Sequence, residues 1–140
     1  MTMKEVVEKY KEDFDLLGDP DAIVEYIIDL GKENPSTLEP HEKNDETFIQ
    51  GCSSPAWMVE ECKDGKVHFR VEGSSSLAKG MIPLLLDIFN DRTPQEILSF
   101  DPKELNKLGF DKILSPTRLQ SMEAFLRRIY GFAKKCKERE

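Results

Sequence analysis

The stretch that most constrains this 140-residue chain is Lys63-Asp64-Gly65-Lys66. Asp-Gly reaches the left-handed backbone region at low cost, as a two-residue hairpin turn requires. Beyond it Val67, Phe69 and Val71 alternate with His68, Arg70 and Glu72, the period of a half-buried strand. Trp57-Met58-Val59 reads as the strand on the other side. The remaining periodic segments repeat at spacings of three and four, so the hairpin has helices to pack on. The order is helix-helix, strands, then four helices. It predicts an α+β fold in which a small antiparallel sheet of about three strands is covered by helices.

The helical segments carry their own start and stop signals. Val6, Val7, Tyr10, Phe14 and Leu17 mark the buried stripe of a first helix from Lys4 to Leu17, ended by Gly18. Asp19 caps a second, with Pro20 at its first position, Asp21 in its first turn and Ile23, Tyr26, Ile27 and Leu30 facing inward; Gly31 or Asn34 stops it. Residues 35–47 form a polar connector without a period. After Gly73-Ser74-Ser75-Ser76, a stripe of Leu77, Met81, Leu84, Leu85 and Ile88 surrounds Pro83, so the helix either starts near Gly80 or kinks. Thr93-Pro94, Asp101-Pro102 and Ser115-Pro116 each pair a capping residue with a helix-opening proline, and Glu96 and Glu104 stand where capping boxes place glutamate. The last helix, from Pro116 to about Lys135, presents Leu119, Met122, Leu126, Ile129 and Ala133. The expectation is one domain over residues 1–140, with a tail from about residue 134 that frays.

Composition removes several function classes. A net charge of −7 argues against nucleic acid as the main partner. No apolar run approaches ~20 residues, so no membrane span is expected. The N-terminus turns charged at once and carries no secretory core, which points to a cytoplasmic protein. Three cysteines and two histidines are scattered without ligand spacing, so no metal site is expected and the cysteines read as free thiols.

The chemistry-bearing candidate is Cys52, set between Gly51 and Ser53-Ser54-Pro55. Turn-forming neighbours present a thiol at a loop tip, where another sulfur can reach it. Cys62 lies at the far end of the following strand, roughly 20 Å from Cys52 at strand rise and beyond disulfide reach of it, and reads as a structural or incidental thiol. Cys136, among Lys134, Lys135, Lys137 and Arg139, reads as a solvated terminal cysteine. His41 reads as a solvated loop histidine.

Gly51-Cys52, then Ser54 and Trp57, resembles the Gly-Cys-x-Ser-x-x-Trp signature of the SufE family of sulfur-acceptor proteins. Tyr26-Ile27-Ile28-Asp29-Leu30-Gly31, Lys79-Gly80-Met81-Ile82, Thr93-Pro94-Gln95-Glu96-Ile97 and Leu114-Ser115-Pro116-Thr117-Arg118 resemble further family segments in the right order. The chain departs from the pattern at Ser53, Pro55, Ala56, Pro83 and a shortened 73–78 segment.

The resemblance implies a SufE/IscU-like α+β fold and a sulfur carrier that is not a complete enzyme alone. Cys52 would accept persulfide sulfur from a SufS-type, pyridoxal-phosphate-dependent cysteine desulfurase, stimulate that enzyme, and pass the sulfur to an iron–sulfur cluster scaffold. The chain would need no cofactor of its own, because the pyridoxal phosphate is on the partner. Gly51, Ser54 and Trp57 would support the loop, Trp57 and the Met81–Leu85 stripe shielding the sulfur, with Arg118 and Lys79 on the partner-facing side. The alternatives are an iron–sulfur or metal scaffold on the same fold, and a non-catalytic desulfurase adaptor.

Overall fold

In the computed structural model, which describes residues 1–139, Asp64 and Gly65 take positive φ values of 54° and 75°. They join β1 (Ala56–Lys63) to β2 (Lys66–Gly73) in an antiparallel hairpin. The register pairs Ala56 with Gly73, Met58 with Val71, Glu60 with Phe69 and Cys62 with Val67. Directly paired residues share a face, so these form the inner face, and Met58, Val67, Phe69 and Val71 are all buried. Burying a side chain of this size contributes about 1.5–3 kcal/mol, so the inner face sets the register.

Among the described residues the sheet has two strands rather than about three. What flanks β1 is a single bridge, Phe48 to Trp57, in which the Ile49 amide donates to the Ala56 carbonyl and the Met58 amide to the Thr47 carbonyl. The chain leaves the sheet edge immediately afterwards at Gly51. The polar connector before it is tied to β2: Leu38 N–H and Lys43 Nζ reach the Glu72 carboxylate, and Arg70 pairs with Glu42.

Six helices complete the described residues: α1 (Met3–Leu17), α2 (Pro20–Glu33), α3 (Ser76–Phe89), α4 (Pro94–Ser99), the single turn α5 (Phe110–Ile113) and α6 (Pro116–Arg139). None among them is long and apolar enough to cross a membrane. The capping signals act as their chemistry dictates. Asp19 accepts from the Asp21 amide, and Thr93 and Glu96 close a reciprocal capping box. Asp101 caps a 3-10 helix over Pro102–Leu108 rather than an α-helix, and Glu104 turns to Lys107 at 2.8 Å.

Gly31 does not end α2; it lies where α2 crosses α3. A Cβ there would sit 2.7 Å from the Gly80 nitrogen and the Lys79 carbonyl oxygen, and one on Gly80 would run into the Ile27 carbonyl. The two glycines let the helix backbones touch. α3 starts at Ser76, capped by Ser75, and runs through Pro83. The carbonyl that Pro83 cannot serve with an amide is that of Lys79, against which Gly31 packs. The core joins Val7 and Phe14 of α1, Ile27 of α2, Leu84, Ile88 and Phe89 of α3, Ile97 of α4 and Ile129 of α6 to the inner face of the hairpin.

Helix α6 has a second buried face beside its apolar stripe. Ser121, Ala124, Arg128, Phe132 and Cys136, at steps of three and four, form one line down the helix. It runs past the loop before β1 and onto the inner face of the hairpin, where Phe132 meets Phe69 edge-on at 6.1 Å. The C-terminal turn is regular helix to Arg139. Cys136 is 3% exposed and bonded to Cys62, with Cα atoms 6.1 Å apart. The expectation of three free thiols and a solvated Cys136 is corrected accordingly: pairing depends on which face of α6 meets β1, which spacing along the chain does not reveal.

Candidate functional site

Cys52 is the one free cysteine among the described residues, and it is half-buried in the loop that leads into β1. Gly51, at φ 94°, makes the bend that turns the thiol inward. A Cβ at Gly51 would also lie 3.2 Å from Cβ of Ala124, so a side chain there would be strained and crowded against α6.

The loop is held from α6 by Ser121. Its hydroxyl accepts from the Ser53 amide at 2.9 Å and lies 3.2 Å from the Ser53 hydroxyl. The carbonyl of the same residue stands 3.8 Å from Cys52 Sγ, in line to accept from the S–H. Such an acceptor suits the thiol and not the thiolate. Burial pushes the Cys52 thiol above its ordinary value, a rise that the side-chain hydrogen bond with Ser121 only partly offsets. At rest the sulfur is therefore protonated and unactivated.

The root of the loop is held by Arg128, one helical step further along. Its Nε donates to the Glu60 carboxylate at 2.5 Å, Nη1 to the Phe48 carbonyl at 3.0 Å, and Nη2 to the carbonyls of Glu46 and Met58 at 2.8 and 3.2 Å. One guanidinium thus satisfies carbonyls on both sides of the Cys52 loop, a task its planar fork can perform and an ammonium cannot. Neither Ser121 nor Arg128 stood out in the sequence. The only available signal was their spacing of seven, two helical turns, on α6.

Behind the sulfur lies an apolar pocket of about 70 Å³ between the inner face of the hairpin, α3 and α6. Ile49, Val71, Met81, Leu85 and Phe125 contribute walls, with Cys52 and Ser54 at the loop side. Arg118 is the one charged residue in the lining. Its Nη1 donates to the Ser75 hydroxyl at 2.7 Å, and that hydroxyl also accepts from the Ala78 amide, so the guanidinium is anchored to the N-terminus of α3. Ser74 adds a bond to the Pro55 carbonyl at 2.8 Å, tying the 73–76 turn to the Cys52 loop.

The structure brings Cys52, Gly51, Ser54, Arg118 and the Met81–Leu85 stripe together. Trp57 lies on the outer face of the hairpin, opposite Glu72, with Phe48 edge-on at 6.1 Å and Lys43 Nζ 5.5 Å from the ring. It props the loop's root and is not part of the pocket wall. Lys79 is exposed and borders a different, polar depression with Ser36 and Thr37. His41 is exposed on the connector. Among the described residues no three His, Cys, Asp or Glu side chains converge on a metal position.

Residues 8–133 match the family model described as "SufE: Fe-S metabolism associated domain". The fold is also similar to the solution structure of a hypothetical protein from Thermus thermophilus, at TM-score 0.75 and 18% identity over 99% of each chain.

Proposed function

Because the chain belongs to the SufE family, we propose that Cys52 is a sulfur acceptor. It takes persulfide sulfur from a pyridoxal-phosphate-dependent cysteine desulfurase, stimulates that enzyme, and passes the sulfur to a cytoplasmic iron–sulfur cluster scaffold. The observation that carries this reading is the apolar pocket directly behind a thiol on an irregular loop.

The transfer is an exchange. The Cys52 thiolate attacks the outer sulfur of the donor persulfide, the bond between the donor's two sulfurs breaks, and the donor cysteine leaves as thiolate. Cys52 then carries the added sulfur, with no net oxidation. Because burial favours the thiol at rest, Cys52 gives up its proton more readily once it leaves the pocket for the donor's site. Leaving breaks the side-chain bonds to Ser121 and no ladder of regular structure. On return the terminal sulfur has room in the pocket, since about 10–15 Å³ of such space already holds a water-sized atom. Apolar walls exclude reductants, while Arg118 offers a cation to the persulfide anion and to an acidic or anionic partner group.

Mass spectrometry after incubation with a cysteine desulfurase and cysteine tests this. One added sulfur on the Cys52 peptide is expected. Loading that survives Cys52→Ser would overturn it.

A further inference from the structure

The Cys62–Cys136 bond lies outside the sulfur-transfer reading, and its two sulfurs differ. Cys62 is exposed on β1, whereas Cys136 lies beneath it at 3% exposure on α6. The Arg139 guanidinium stands 4.0 Å from Cys62 Sγ, where it attracts an anionic thiol to that sulfur and away from Cys136. Non-covalent contacts already hold the strand and helix in register, Arg128 on Glu60 and Phe132 on Phe69. The two cysteines therefore stay adjacent whether or not they are bonded, and the effective concentration of each at the other remains high.

We infer that this pair is a second thiol centre, a reversible disulfide that small glutathione-like thiols open and close by entering at Cys62. In opening, a thiolate attacks Cys62 Sγ. The Cys62–Cys136 bond breaks, its electron pair leaves on Cys136 Sγ, and that sulfur takes a proton. A second thiolate attacks the small-molecule sulfur of the mixed disulfide and expels Cys62 as thiolate. Two external thiols become one external disulfide, supplying the two electrons. Closing is the reverse: Cys62 attacks an oxidised small disulfide, and Cys136 displaces the small thiol.

The inference does not involve Cys52 or any desulfurase, so it stands or falls apart from the sulfur-carrier reading. The test uses the full chain in glutathione buffers, quenched with acid and alkylated in denaturant. After glutathione disulfide followed by dilution into non-reducing buffer, the Cys62 and Cys136 peptides should be joined and resist alkylation; after dithiothreitol, all three cysteines should alkylate. Early during reduction by glutathione, the trapped mixed disulfide should map to the Cys62 peptide. Glutathione disulfide should modify Cys62 in Cys136→Ser at least about tenfold faster than it modifies Cys136 in Cys62→Ser, as access dictates. Alkylated Cys62 and Cys136 after oxidation, or a mixed disulfide found chiefly on Cys136 in the unmutated chain, would overturn the inference without relying on the variants.

Discussion

The two cysteine regions of this molecule are built on the same helix face and in opposite ways. Cys52 sits on irregular chain between a positive-φ glycine and Ser53, held to Ser121 by hydrogen bonds. Cys62 and Cys136 sit in a strand and a helix and are joined covalently. Arg128 stands between the two regions on α6, reaching the loop's carbonyls and the Glu60 carboxylate at once. Releasing Cys52 breaks a few side-chain bonds at about 1 kcal/mol each. Displacing Cys62 means unzipping a β-ladder. The proposed carrier thiol is thus held by a few side-chain bonds on a loop, and the disulfide pair by regular structure on both sides.

The sharpest break of that contrast is Cys52→Ser. It should remove sulfur loading altogether and leave Tm unchanged; loading transferred to Cys62 or Cys136 would erase the distinction. Next comes reduction of the disulfide, or Cys136→Ser. Closing a loop across 74 positions of sequence stabilises by about 2–4 kcal/mol. Urea titrations of oxidised and reduced protein should show that loss, with Cys52 alkylation kinetics changed far less.

Arg128→Ala should cost about 2–3 kcal/mol, because four acceptors lose a charged donor. Hydrogen exchange should accelerate over residues 46–58, and Arg128→Lys should recover only part of the loss. Smallest in stability is Ser121→Ala, at about 1 kcal/mol or less, with several-fold faster alkylation of Cys52 expected from freer access (~3-fold or more).

The pH dependence refines the same comparison. Burial raises the folded-state value of Cys52, so the midpoint of its alkylation rate should lie above the ordinary value of about 8.5. The associated stability is fully present below that unfolded value and is lost as pH rises through the folded one. The side-chain hydrogen bond with Ser121 partly offsets that rise, so Ser121→Ala should move the midpoint further up.

Local chemistry made much of the fold legible. Asp64-Gly65 specified its turn, Asp19 and Thr93 capped their helices, and alternation placed Val67, Phe69 and Val71 inward. Each depends on residues a few positions apart. The third strand shrank to the Phe48–Trp57 bridge because the chain bends away at Gly51 and Arg128 takes the Phe48 and Met58 carbonyls. At the site, Cys52 could be read from its neighbours, and Arg118 came from the family resemblance. Ser121 and Arg128 stayed hidden because a hydrophobic stripe identifies only one face of α6, and these two are polar residues interspersed on the neighbouring one.

The amino-acid order alone therefore determined the hairpin, most helix starts and a thiol on a bend, because these follow from backbone preferences and short-range spacing. The packing of α6 decided the rest: which cysteines meet, which arginine supports the loop, and that a pocket opens behind Cys52. Those features require groups tens of residues apart to share a few ångströms, and only the assembled core brings them there.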